Sequence, residues 1–500
     1  MKKYIYSAVV TIALATLSTS CEKELDVQPT NAVAESYLYD NVDNVETVIN
    51  GTWRYMMDTY FTYANPGYGA ILRTSDAMGN DVALTTKYGF RDAYAFNELH
   101  DFTKTRVTGF WTLLYKVINN ANNVIAKVDA AKGSEAKKKQ LKGQALALRA
   151  NSYLTLATYY QFTYLKDPNA KAVPIYTTPT DENTKGNPKA TVAQVYEQIV
   201  KDLIEAETLL NGYSRSAKYK IDASVVKGLL ARTYLALGRW DDAAQKAVEA
   251  RAGYTLMSAE DYYKGFNDLN NDEWIWGHGQ RPDQSVASYN FHFLDVSSAS
   301  SYYYSFMADP YFKNLFDTND IRSKLFFWDN LPGREGFLRY EKFKFRADQT
   351  GDIVLMRASE MYLIEAEAYA ESGKLDKAVE TLNALRTVRK AQLFDLTGKT
   401  KEDVVNAILI ERRKELWGEG FALADILRKQ RSVERKLYKD ETGKDVQVTI
   451  TLPDGSQKTV TAKGHRVVKF ADGTNFIPNS KYYIFAIPQN EVRDNPNLNN

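Results

Sequence analysis

The feature that most constrains the fold of this chain is a helical hairpin written twice. In residues 357–389, RASEMYLIEAEAYAESGKLDKAVETLNALRTVR, Met361, Ile364 and Ala368 fall on one helical face and Leu363, Ala366 and Ala370 on another, so the helix has to be covered on two sides. Ser372-Gly373 stops it, because glycine accepts the left-handed conformation that closes a helix C-terminus, and Asp376 is placed to cap the helix that follows. Ala378, Leu382 and Leu385 give that second helix its own apolar stripe. A unit of this kind is not stable alone and needs neighbours.

The neighbours are written upstream. In residues 231–251, ARTYLALGRWDDAAQKAVEAR, Tyr234, Gly238, Asp241 and Ala243 stand where Tyr369, Gly373, Asp376 and Ala378 stand, all at one constant displacement. This is the spacing of tetratricopeptide-type helical pairs. Ala150 and Tyr153 in QALALRANSYLTLATYY echo the first helix of such a pair. Pairs of this kind stack because each leaves an apolar face uncovered, so an all-α, repeat-built scaffold is expected.

Further amphipathic helices are expected over residues 39–57 (Val42, Val45, Ile49 and Trp53 inward), 110–128, 144–164, 191–210 and 403–431. In the last block Glu411, Arg412, Arg413 and Glu415 read as ion pairs along a helix surface, each worth little. Residues 446–468 alternate apolar and polar about Pro453-Asp454-Gly455, a β-hairpin signal. Two stretches, about 65–100 and 254–345, replace this regularity with glycine, asparagine, serine and clustered aromatics, and read as long loops and short helices.

The aromatics are the positive functional signal. Aromatic residues make up 13% of the chain, with 34 tyrosines, more than helical packing requires. In extended segments Trp274 and Trp276 would point the same way, as would Tyr302 and Tyr304. A flat ring can cover the C–H face of a sugar while neighbouring polar groups bond its hydroxyls. Loops held by a rigid scaffold are where recognition is expected.

Other chemistries find little support. The net charge of +2 argues against a dominant electrostatic partner, and Lys137, Lys138, Lys139 and Lys142 read as a solvated helix end. His100, His278, His292 and His465 show no metal-ligand spacing. Asp268, Asn270 and Asp272 imitate the start of a calcium loop, but Glu273 replaces its turn glycine and Gly279 its bidentate glutamate. Neither a phosphate-binding glycine loop nor a nucleophile elbow is present, so no catalysis and no cofactor are expected, with participation of calcium left open. The sole cysteine, Cys21, rules out a disulfide framework. A basic start, an apolar run over 5–17 and Ser18-Thr19-Ser20 before Cys21 read as a secretion signal over 1–20, too short for the ~20 residues that span a bilayer. It resembles a bacterial lipoprotein signal, with Ser18 where leucine is usual, lipidation at Cys21 and a polar tether over 21–31.

Three blocks then converge. RASEMYLIEAEAYAESGKLDKAVETLNALR, IERRKELWGEGFALADILR and the ending IPQNEVRDNPNLNN resemble, in order, the C-terminal signatures of the SusD/RagB family of outer-membrane nutrient-binding lipoproteins of Bacteroidetes, with Ala422 where many members carry arginine. ALALRANSYLTLATYY followed by VPIY, and Glu22, Glu24 and Asp26 after the cysteine, agree with it. The resemblance implies one SusD-like domain over 32–500, in which four tetratricopeptide-like pairs support a loop-rich ligand-binding side. It implies a lipid-anchored location on the outer membrane, facing outward, and partnership with a SusC-like TonB-dependent transporter. It further implies capture of a glycan without cleavage, or of a peptide in some members, with a pure docking scaffold as the remaining reading. By region, it points to Tyr68, Arg73, Asp76, Tyr88 and Phe90 in the first irregular stretch and Trp274, Trp276, Tyr302, Tyr303 and Tyr304 in the second as ligand-binding residues.

Overall fold

The computed structural model describes residues 35–58, 67–87, 89–283, 286–297 and 301–499. The stretches read as a secretion signal and a tether, with Cys21, and Tyr88 lie outside them. Leaving aside single-turn helices, the chain forms α1 (Val42–Asp58), α2 (Gly67–Ala77), α3 (Thr105–Lys127), α4 (Glu135–Tyr159), α5 (Val192–Leu209), α6 (Ala223–Leu237), α7 (Trp240–Arg251), α8 (Ala358–Glu371), α9 (Leu375–Val388), α10 (Lys401–Leu416) and α11 (Ala422–Arg428). Helices α1 with α3, α4 with α5, α6 with α7 and α8 with α9 pack as four pairs, and contacts of α3 with α4, α5 with α6 and α7 with α8 stack them in sequence.

The two faces of α8 serve two different cores. Met361, Ile364 and Ala368 join the main one, while Leu363, Ala366 and Ala370 join a second with Ala378, Leu382 and Leu385 of α9 and Val404 and Ile408 of α10. Both hairpins close alike. Gly373 has φ +79° and Gly238 φ +71°, and the next residues donate their N–H to Tyr369 O at 2.8 Å and Tyr234 O at 2.9 Å. The acidic residues after the turns do not cap. The N-cap positions are Lys374 and Arg239, without side-chain capping bonds, and Asp241 sits in the first helical turn, where it pairs with Lys374 Nζ at 2.5 Å and links the two repeats. Because nothing lies within 4 Å of a Cβ placed on Gly373, Gly373→Ala should cost only the left-handed backbone penalty, about 1–2 kcal/mol. The check is a lowered urea midpoint at unchanged m-value.

Two helices depart from the periodicity reading, for opposite reasons. Helix α4 starts at Glu135, with Ser134 accepting the Lys137 N–H, so the lysine run forms its polar opening turns. Helix α2 falls in a stretch without period because every residue in it except Leu72 is buried, and a helix covered all round carries no amphipathic stripe.

The irregular stretch 254–345 is stitched down by short strands. β1 (Val82–Leu84), β5 (Phe306–Ala308), β6 (Phe326–Trp328) and β7 (Leu338–Tyr340) form an antiparallel sheet in the order β1-β5-β7-β6. β4 (Trp274–His278) pairs with β8 (Ile353–Arg357), which runs directly into α8. β2 (Lys171–Pro174) pairs with β3 (Lys189–Thr191), and β9 (Gln447–Thr451) with β10 (Gln457–Thr461) makes the C-terminal hairpin.

Glu411 and Glu415 are not on a surface. Both are fully buried and belong to an ionic network with Arg322, Arg357, Arg389, Lys342, Lys414, Asp320, Glu273 and Glu419. Glu415 meets Arg322 at 2.7 Å, Arg357 at 2.6 Å and Arg389 at 2.8 Å. Burial pushes its carboxyl up, but the guanidinium groups of Arg389, Arg357 and Arg322 outweigh that and hold it well below the usual glutamate range. The network joins β8 and the start of α8 to the C-terminal end of α10 and to the inserted sheet, so it fixes the aromatic-rich stretch to the scaffold.

Candidate ligand-binding face

Just before β5 the chain is drawn tightly around one carbonyl. Thr85 N–H donates to Ser305 O at 3.0 Å, extending the β1–β5 ladder. His292 O accepts from Ser301 Oγ at 2.7 Å, Tyr303 N–H at 3.2 Å and Tyr304 N–H at 2.8 Å. Tyr304 has φ +30°, outside the usual range for a non-glycine residue. This turn sends consecutive rings to different places. Tyr302 projects outward, 59% exposed, stacked on the His292 ring at 4.2 Å and 19° with Tyr289 6.4 Å away. Tyr303 turns inward against Phe293 at 4.7 Å and 13°. Tyr304, half-buried, lies under Arg334 at 4.4 Å and Lys87 at 5.1 Å. Burial pushes the His292 imidazole down to about 4, so at neutral pH the ring beneath Tyr302 is an uncharged imidazole.

Several expected ligand contacts are structural instead. Trp274 and Trp276 are 1% and 0% exposed. A register shift in β4 separates their pairings, Trp276 packs on Trp53 at 5.2 Å, and its Nε1 donates to Tyr219 O at 3.1 Å. Tyr68 is buried with its hydroxyl 2.8 Å from Thr155 Oγ1. Phe90 is buried edge-on to Phe293 and Phe306. Arg73 and Asp76 are buried as a pair at 3.4 Å, and Asp76 accepts the Gly420 N–H at 2.9 Å, which fastens α2 to the start of α11. Burial pushes the Asp76 carboxyl up to about 7 against the pull of Arg73. The shared reason is size and charge. Large rings supply the most apolar area per residue to a core, and a buried arginine is kept beside a carboxylate of its own chain. Sequence reasoning passed over His292 as an ordinary histidine, and its three-residue spacing from Tyr289 was the available signal.

Two concavities elsewhere suit a polymer less well. A cavity of about 130 Å³ among α4, α6, α8 and α11, lined by Trp276, Arg232 and Phe421, falls below the usual range for ligand pockets. A polar cleft of about 410 Å³ includes Asp268, Asn270, Asp272 and Trp274, but Asp268 is engaged by the Asn270 N–H at 2.9 Å. Among the described residues no group of three or more His, Cys, Asp or Glu could hold a metal ion.

A solved structure of a SusD-like carbohydrate binding protein from Bacteroides vulgatus matches this chain at 44% identity with a TM-score of 0.86, over 92% of this chain and 98% of that one. The chain belongs to the SusD family. The SusD family model matches residues 336–500, and a SusD-like model described as starch-binding associating with outer membrane matches residues 23–235. A SusD superfamily protein from Bacteroides thetaiotaomicron is 25% identical with a TM-score of 0.76, over 92% of this chain and 99% of that one. A SusD-like protein of Formosa agariphila is 24% identical over 87% of this chain and 93% of its own length. The segment matched by the SusD model holds Lys342, Arg357, Arg389, Glu411, Glu415 and Glu419 of the buried network. Tyr289, His292 and Tyr302 fall between the two matched segments, as does helix α7. Among the described residues no helix of this SusD protein is long and apolar enough to cross a membrane.

Proposed function

We propose that this SusD-family chain is a non-catalytic, cofactor-free lipoprotein of the outer cell surface, anchored through Cys21, that captures oligo- or polysaccharide and hands it to a SusC-like TonB-dependent transporter. The observation that carries the reading is the exposed Tyr302 ring held flat on His292. A sugar laid on that ring buries C–H surface at little conformational cost, because the turn around His292 O has already fixed the ring. Kinship supports the reading, since the matched family model is described as starch-binding.

Isothermal titration against a polysaccharide panel tests it. Tyr302→Ala should weaken glycan binding at least about tenfold, equivalent to about 1.4 kcal/mol, with unfolding unchanged. Trp276→Ala, by contrast, should destabilise the fold by about 3–5 kcal/mol as a core truncation. Full affinity in Tyr302→Ala would overturn the assignment of the platform.

A further inference from the structure

Cationic side chains gather where the end of β1 meets the Tyr302–Tyr304 segment. The β1–β5 ladder, continued by the Thr85–Ser305 bond, carries Lys87 alongside residues 302–304, and its ammonium lies 5.1 Å over the Tyr304 ring. Arg466 Nη2 donates to Thr85 O at 2.8 Å, and its backbone N–H donates to Tyr94 Oη at 3.3 Å. Tyr94 closes the single-turn helix Arg91–Tyr94, whose first residue is Arg91. Burial lowers the proton affinity of the Arg466 guanidinium; Tyr94 opposes that, and the charge of Arg91 adds to it.

Among the described residues Lys87, Arg91 and Arg466 form no ion pair with a carboxylate, although all three are exposed. Asp92, exposed beside Arg91, offsets at most one of the three. Most other cations next to this face are already committed. Arg334 is bound to Asp329 at 2.6 Å, and Arg346 to Asp352 at 2.8 Å. The near-zero net charge of the whole chain therefore conceals exposed cations without carboxylate partners next to the segment that carries Tyr302.

We propose that the ligand is an anionic glycan. Tyr302 takes the C–H face of one sugar ring, and the carboxylates or sulfate esters of adjoining residues meet Lys87, Arg91 and Arg466. Guanidinium groups suit this role because their fork of N–H donors matches two oxygens of one carboxylate or sulfate. Lys87 contributes a point charge held over the Tyr304 ring. The proposal rests on the platform reading above and adds the charge class of what the platform binds.

The test compares the full chain with Lys87→Glu, Arg466→Glu and Tyr302→Ala against polygalacturonate, chondroitin sulfate and the neutral glucans amylose and laminarin, at about 50 mM and about 500 mM NaCl. An anionic polymer should bind at least about tenfold more tightly than either neutral one, and high salt should erase most of the difference. Each charge reversal should lower anionic affinity at least about fivefold, and thermal unfolding confirms that the variants are folded. The charge assignment is overturned if neutral glucans bind as well as anionic ones, independently of salt, while Tyr302→Ala still abolishes binding; the platform then stands. If no polysaccharide of either class binds, or Tyr302→Ala binds like the parent, the platform falls and this inference with it.

Discussion

Glu415→Gln should destabilise the protein by about 3–5 kcal/mol or more, because it removes the charge shared by Arg322, Arg357 and Arg389 without changing side-chain size. The three guanidinium groups are fully buried. Once the carboxylate is gone they repel one another where water cannot screen them. Glu273, Glu411 and Glu419 each remain bound to one or two of the cations, but none of them touches all three. The loss should appear as a large drop in the urea midpoint, and proteolysis should cut first in the inserted stretch, which the network ties to the scaffold. The exposed Lys374–Asp241 pair is the control, since Lys374→Ala should change stability by no more than about 1 kcal/mol. A loss of under about 1 kcal/mol in Glu415→Gln would mean that the cations find other partners and that the network does not hold the halves together.

Asp76 and Asp309 should each contribute a loss of stability as the pH rises toward 7, while His292 and His465, held uncharged in the fold by burial, oppose that loss up to the ordinary histidine value of 6.5, so each carboxyl's share is read from a variant against its parent. Burial pushes Asp76 up to about 7, with Arg73 pulling the other way, and burial pushes Asp309 up to about 7 despite the N–H groups of Tyr311 and His465. Their ordinary value is 3.8, so between pH 4 and 7 these two carboxyls hold protons in the fold that they release in the unfolded chain, and their contribution to stability declines as the pH rises. At about 1.4 kcal/mol for each factor of ten in proton affinity, each group costs on the order of 4 kcal/mol above pH 7. The acid limb has the opposite sign. Burial raises Glu411, Glu415 and Glu419, but their cationic partners more than reverse it, so their contribution is present above the ordinary value of 4.5 and is lost as pH falls below it. Asp309→Asn keeps the acceptor that caps Tyr311 N–H and removes the ionisation, so its stability relative to the parent should rise from pH 5 to 7 in urea titrations at pH 5, 6, 7 and 8. An unchanged slope in that variant and in Asp76→Asn would show that neither group takes up a proton on folding.

Much of the scaffold was legible in the residues because it rests on short-range rules. The hairpin turns at Gly238 and Gly373 follow from the left-handed backbone that only glycine adopts cheaply, and both close as their sequences require. The two-sided burial of α8 followed from its spacing, and its two faces enter separate cores. The β9–β10 hairpin followed from its turn residues. Helix α2 was hidden because uniform burial erases the period that reveals a helix.

The aromatic face was legible only as a composition. Trp276 and Tyr302 belong to the same aromatic-rich insertion, yet one ring is sealed against Trp53 and the other stands in solvent on His292. The difference is made by the strand pairing of β4 with β8 and by the turn around His292 O, neither of which has a local signature. The same holds for charge. Glu411 and Glu415 lie at helical spacing that suggests a solvated face, and only the approach of Arg322 and Arg389 from distant parts of the chain turns that face into a core.

The sequence by itself therefore determined the repeated helical pairs, their turns and their family, because these depend on residues a few positions apart. Tertiary structure alone decided which rings remain open to a sugar and which charges are buried, because exposure is a property of what the rest of the chain brings alongside.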